Sequence, residues 1–389
     1  MKNTLLVVAA IAVMSAGLLS AQSAAPIVKR DPGYTVPRTP WGDPDLQGTW
    51  PSTEMVGTPM QRDTKLGTRN VLTEAEYKKV QERFARQAAQ DEADFDLDHA
   101  AATPGGDVGG PVSPPPHWLE RGKPQYQASL IVDPPDGRTP PLTPQAQQRQ
   151  AAARETREGR GPADSYTDRS LYDRCITRGI AGSILPVIYN NGNEIVQAPG
   201  YVAIRNEMIH EARIVVLDGR PHPSPHIKMW MGDSRGYWDG DTLVVETKNI
   251  GSFAPGIGVN GGGTRHSSDI TITERFTRLS ADVMLYEMRV HDPKTWTKAW
   301  TISYPLKRDD NYGFYEYACH EGNYSLFNIL SGARADEKAA ADAAAKGLPA
   351  SNQQQAPGGG RGGRGGRGGG GAGGGGARGA GAPGGAPQQ

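Results

Sequence analysis

Two stretches of this chain carry the residue types for proton transfer. In "DITITERFT", strand alternation puts Ile270, Ile272, Glu274 and Phe276 on one face and Thr271, Thr273, Arg275 and Thr277 on the other. A carboxyl group in an apolar row must be either neutral or paired. In "HEARIVVLD", His210 falls in phase with Ala212, Ile214 and Val216, and farther on Lys298 falls in phase with Trp296, Trp300 and Ile302. Glu274 with His210 is therefore a candidate general acid/base pair. The favoured expectation is a buried structural network in which His210, Lys298 or an inward Arg supplies the positive charge.

A third stretch, "MWMGDSRGYWDGDTLVVETKNI", contains a G-x-S-x-G pattern at Gly232 to Gly236. A nucleophile elbow needs a strand before its Ser and a helix after it. Here Ser234 is followed by Tyr237-Trp238, an Asp239-Gly240 turn and a second alternating run, which is the signature of a hairpin. Ser234 is accordingly an ordinary loop residue. His222 and His226 stand four apart, but "RPHPSPHIK" is broken by Pro and cannot present both from one helix face, so no metal site is expected. The acidic run at Asp94, Asp96 and Asp98 lacks the Gly and distal Glu of a calcium loop. Trp230, Trp238, Trp296 and Trp300, with Arg220 and His222, are the expected ligand-lining residues of a cavity that takes an apolar or aromatic small molecule. No cofactor is expected.

The elements that must position these groups are mainly strands. "EIVQA" and "YVAIRNEM" flank a Pro-Gly turn. "HEARIVVLDG", "GYW", "DTLVVETKNI", "SSDITITERFTRL", "VMLYEMRVHD", "WTKAWTISYPL" and "YGFYEYACHE" follow, each rich in β-branched and aromatic residues and bounded by turn residues. Successive strands without interleaved helices predict an antiparallel meander, closed into a barrel to hide its edges. Two polar surface helices precede it. One opens with a Thr73/Glu76 capping box, and the other with Thr143 as cap and Pro144 at the first helical position.

The ends of the chain suggest export. Residues 1–21 have Lys2, then an uncharged apolar run from Leu5 to Leu19 and small residues around Ala21, the pattern of a cleaved signal peptide. The mature protein, periplasmic or secreted, is expected to carry no membrane span. Residues 22–44 follow as an extended segment, then a barrel domain over 45–332 with a helical and Pro/Gly-rich insertion at about 70–165. An Ala-rich helix is expected over 333–347 and a disordered Gly/Arg-rich tail over 348–389. Net charge is zero, with 42 basic and 42 acidic residues, which gives no steering toward nucleic acid. The tail's Arg361, Arg364, Arg367 and Arg378 resemble an RGG segment, but behind a signal peptide they read as a tether. Cys175 and Cys319 are the only cysteines, and in an exported chain the pair is expected to be bridged.

At "TPWGDPDLQGTWP" the chain resembles the lipocalin-like families, whose first strand carries Gly-x-Trp, here Gly48-Thr49-Trp50. That resemblance implies a Trp packed across one barrel end against an Arg from near the last strand, Arg308 or Arg334. With "DGRPHP", "WDGDTLVVET" and "DITITERF" added, the chain looks like a group of exported bacterial proteins. The likeness implies a barrel and export and transfers no catalytic residue. Three functions remain: a small-molecule-binding barrel, which is preferred; a lyase, isomerase or hydrolase using the inward Glu/His pair; and a cell-envelope interaction protein anchored by its tail.

Overall fold

The computed structural model describes residues 28–92 and 119–347. The N-terminal stretch read as a signal peptide, the acidic Asp94–Asp98 run, most of the Pro/Gly-rich segment and the Gly/Arg-rich tail lie outside the described residues. The described chain is built on one ten-stranded sheet. Its strands are β1 (Gly48–Thr49), β2 (Ile131–Asp133), β3 (Asn193–Ala198), β4 (Tyr201–Asn206), β5 (Ala212–Val216), β6 (Asp233–Asp239), β7 (Thr242–Lys248), β8 (Thr271–Arg278), β9 (Val283–His291) and β10 (Trp300–Lys307). The order across the sheet is β1-β3-β4-β5-β6-β7-β8-β9-β10-β2.

Local chemistry explains most of this order. Pro199-Gly200 joins β3 to β4, with Gly200 at φ +79°, and Gly240 at φ +61° turns β6 into β7. Both positions lie in the left-handed region that glycine enters without a Cβ penalty. From β6 to β10 every neighbouring pair is antiparallel, as the turn spacing predicts. The exception is β5 to β6, which meet in parallel at Val216 and Arg235. The Pro-broken stretch around His222 provides the crossover that a parallel step requires.

Two expectations are corrected. The sheet curls into a half-barrel and does not close. Its edges are β1, two residues long, and β2, three residues long and followed by Pro134, which has no N–H to extend a ladder. Edges this short are blunted without being paired. Nor does "YGFYEYACHE" form a strand, because the free side of β10 is taken by β2, with Ile302 opposite Ile131 and Thr301 opposite Asp133. Tyr312 and Tyr317 from this segment instead make hydroxyl hydrogen bonds, to Glu207 and Tyr172 respectively.

The helices are α1 (Glu74–Glu92), α2 (Pro144–Glu155), α3 (Gly179–Ile184) and α4 (Ser325–Ala345). The capping box forms as expected: Glu76 accepts from the Thr73 N–H at 2.8 Å, and the Glu76 N–H donates to Thr73 Oγ1 at 3.4 Å. Thr143 caps α2 by accepting from the Ala146 N–H at 3.2 Å. The short, wholly buried α3 has no periodicity to announce it, and α4 begins at Ser325, well before the Ala-rich run.

The main core fills the inside of the curl, with Trp50, Phe276, Tyr286, Trp300 and Tyr304 among its largest members. The Trp50 indole donates to the Leu46 carbonyl at 2.9 Å. Two guanidiniums, Arg278 at 5.4 Å and Arg308 at 5.8 Å, lie against its ring. Arg334 lies on α4, paired with Glu337. Cys175 and Cys319 are bridged, with Cα atoms 5.7 Å apart. Cys319 belongs to the irregular segment after β10, so the bridge fastens that segment to the chain before α3.

Candidate functional site

Glu274 sits on β8 between Val245 of β7 and Met288 of β9, with none of its side chain exposed. Ile272 and Phe276 share its buried face, the phase read from the sequence. Its carboxylate oxygens accept from both terminal nitrogens of Arg213, at 2.5 and 2.9 Å, and one also accepts from the Tyr286 hydroxyl at 2.9 Å. Arg213 comes from β5, with β6 and β7 lying between it and β8 in the sheet, so the pair spans the inside of the curl. Burial and the Glu274 charge hold the Tyr286 and Tyr304 hydroxyls well above the usual tyrosine range. A carboxylate forked by a guanidinium and bonded by a phenol is charge-balanced. To accept a proton from a substrate it would first have to break that fork.

His210 is elsewhere. It is exposed in a 3-10 turn over Met208–His210, ahead of β5, and its Nδ1 lies 2.9 Å from the Tyr317 carbonyl oxygen. In β5 the buried residues are Arg213 and Val215, whereas Ala212 and Ile214 face outward. The apolar row containing His210 is therefore the outer one, and the structure does not bring Glu274 and His210 together. Lys298 is also exposed, ahead of the start of β10.

The remaining residues fall into three places. Trp296 and Trp300 are buried and meet edge to face at 5.5 Å, and Trp238 is half-buried against the same core. None of these three indole N–H groups has a partner among the described residues. Trp230 is largely exposed and packs edge-on to Phe253. Arg220 is exposed on Asp218. His222 is half-buried between two carboxylates, with Nδ1 2.6 Å from Asp233 and Nε2 3.2 Å from Glu246. Arg235 also forks onto Asp233, and Lys248 pairs with Glu246, so each carboxylate already has a cation. Among the described residues no three His, Cys, Asp or Glu side chains group as metal ligands. Ser234 lies in β6 rather than a loop. It is buried, with its hydroxyl 2.9 Å from that of Thr247 and no helix behind it.

A cleft of about 350 Å³ lies outside the half-barrel, where sequence reasoning placed none. One wall is α1, whose capping box sets the helix phase so that Glu76, Lys79, Val80, Arg83 and Phe84 share a face. The others are the segment from Gly57 to Leu66 and the run from Lys123 to Ala128. Leu66, Leu72, Val80 and Phe84 give it an apolar lining. Lys65, Lys79, Arg83 and Lys123 bring positive charge against two carboxylates, Asp63 and Glu76. Neither carboxylate neutralises the lysines of the cleft. Asp63 accepts from the Lys65 backbone N–H, and Glu76, held down to about 2 by Arg69 and Thr73, is already paired with Arg69. Among the described residues Lys65 and Lys79 have no carboxylate partner.

Comparison of the chain with family models, curated proteins and solved structures finds no match. A volume near 350 Å³ with an apolar lining and a few charged groups has the make-up of a small-molecule site. The residues sequence reasoning missed are Arg213 and the α1 face. The available signal for the second was the helix that the capping box announces, whose period puts positions 76, 79, 80, 83 and 84 on one side.

Proposed function

We propose that this is an exported small-molecule-binding protein whose ligand is an amphipathic anion, an apolar or aromatic body carrying one carboxylate or sulfonate. The observation that carries the reading is the α1 cleft, where Lys65 and Lys79, without a carboxylate partner among the described residues, stand with Leu66, Val80 and Phe84. The apolar body would be desolvated against the lining, while the anion is held by the lysines at the rim. The Gly48-Thr49-Trp50 resemblance to lipocalin-like families also favours ligand binding. Export is supported by the Cys175–Cys319 bridge, which persists in oxidising compartments, and by the leader-like N-terminus. No described helix is long and apolar enough to cross a membrane.

The test is a matched pair of ligands, decanoate and decanol, titrated by calorimetry. Decanoate should bind at least tenfold more tightly than decanol, and Lys79→Glu should remove most of that preference. Equal binding of acid and alcohol, or indifference to Lys79→Glu, overturns the proposal.

A further inference from the structure

A second, smaller cleft of about 120 Å³ lies beside the disulfide-tied segment. It is lined by Tyr172, Thr177, Asn260, Arg265 and the glycines of the 256–263 run, among others. Directly behind its wall is Arg178, 1 % exposed. The Arg178 guanidinium stacks on the Tyr172 ring at 3.7 Å, donates to the Tyr189 hydroxyl at 3.0 Å and donates to Asn260 Oδ1 at 3.0 Å. Its Nε has no partner among the described residues. Tyr172, Tyr189 and Tyr317 join hydroxyls around it.

Among the described residues three other guanidiniums are buried: Arg62 and Arg278 donate to carbonyl oxygens, which Arg178 does only at Asn260, and the third is Arg213. That residue has a carboxylate in its fork. Arg178 has only phenols, an amide and ring faces, and pairs with no carboxylate among the described residues. A buried cation without a counterion is costly, and ring faces offset only part of that cost. Arg265, exposed on the cleft lining, likewise has no carboxylate partner among the described residues. Thr177 Oγ1 accepts from the Gly179 N–H at 2.9 Å and donates to Met231 Sδ at 3.5 Å, so its hydroxyl is not the missing acceptor. Asn260 accepts from Arg178 through Oδ1, which leaves its Nδ2 hydrogens for another acceptor in the cleft. Its left-handed backbone, φ +60°, is followed by Gly261 at φ +66°. A Cβ on Gly261 would stand 2.7 Å from the Arg178 carbonyl oxygen, so only glycine lets this loop pack so close to the guanidinium's own backbone.

We propose that this cleft is a binding site for a small oxyanion, of phosphate or carboxylate size, which supplies the countercharge Arg178 lacks and is held by Asn260 and Arg265. The site is separate from the α1 cleft, and its occupant needs no apolar body.

The experiment titrates the full chain with inorganic phosphate and with acetate, at constant ionic strength against chloride, and reads melting temperature and calorimetric binding. Saturable stabilisation by phosphate, by acetate or by both, beyond chloride, is expected, and which anion gives it distinguishes a tetrahedral from a planar ligand. Arg265→Gln, at an exposed position, should weaken binding about tenfold or more while leaving the anion-free melting temperature near wild type. Asn260→Asp places a carboxylate beside Arg178. It should raise the anion-free melting temperature and abolish the response to phosphate and acetate. Lys79→Glu should leave that response unchanged. No saturable effect beyond chloride overturns the proposal, as does binding lost on Lys79→Glu rather than Arg265→Gln. An Asn260→Asp protein that still responds like wild type also overturns it.

Discussion

Glu274 and Arg213 are a buried ion pair whose value depends on both partners being present. Their charges balance in a fork closed to solvent, and Tyr286 completes the hydrogen bonding. Removing one charge leaves the other buried and uncompensated, at a cost of about 3–5 kcal/mol. Glu274→Gln should therefore lower unfolding free energy by that amount in urea titration. Replacing both residues by Met should recover much of it, because an apolar pair of similar volume needs no desolvated charge. A Gln variant as stable as wild type would show that the fork contributes nothing. The same variant should bind decanoate like wild type, since Glu274 does not line the α1 cleft.

At the level of elements, the parallel step from β5 to β6 depends on the missing side chain of a glycine. A Cβ on Gly236 would stand 2.6 Å from Val215 Cγ1 and 2.8 Å from Leu217 Cδ2, both apolar groups packed inward beside β6. Gly236→Ala should destabilise by about 1–3 kcal/mol through overpacking. Gly200 has the opposite profile, with φ +79° and nothing within 4 Å of its missing Cβ. Gly200→Ala should cost only the left-handed backbone penalty, about 1–2 kcal/mol. Chemical denaturation of the two variants measures both, and the β5–β6 junction is misassigned if Gly236→Ala is neutral. The turn glycine was legible from the hairpin pattern. The packing glycine was not, because Leu217 and Val215 reach it only once β5 and β6 lie side by side.

For the molecule as a whole, two features set the conditions under which it holds together. The Cys175–Cys319 bridge closes a loop of 144 residues, and its loss should reduce stability by about 2–5 kcal/mol. Calorimetry with and without reductant reads the change, and an unchanged melting temperature after verified reduction would refute it. The second feature is a set of phenols raised by burial: Tyr172, Tyr189, Tyr286, Tyr304, Tyr312 and Tyr317. Their folded-state values lie above the unfolded value of about 10, so the folded chain holds protons that the unfolded chain releases. Their contribution is fully present below about pH 10 and is lost as pH rises beyond it. Unfolding free energy measured from pH 8 to 11 should fall above about pH 10, and a flat profile would contradict the burial of these rings.

Turn chemistry, strand alternation and caps are local, and residues adjacent in sequence were enough to determine them. The β6–β7 hairpin, the absence of an elbow at Ser234, the capping of α1 and α2 and the buried phase of Glu274 were all legible in this way. The pairing of Cys175 with Cys319 followed from there being only two cysteines and from the expectation of export. What the sequence could not settle was set by contacts between distant segments. Period-two reasoning put His210 inward because Ala212, Ile214 and Val216 form the more apolar row of β5, yet the sheet turns Arg213 inward to meet Glu274 from three strands away. The last predicted strand failed because β2, from more than a hundred residues upstream, had already taken the edge of β10. Closure failed because two edge strands of two and three residues offer too few backbone groups to join. The α1 cleft exists only where the helix stands against the Gly57–Leu66 segment and the Lys123 run. Local sequence specifies which face a residue can present, and only the folded chain decides what meets it there.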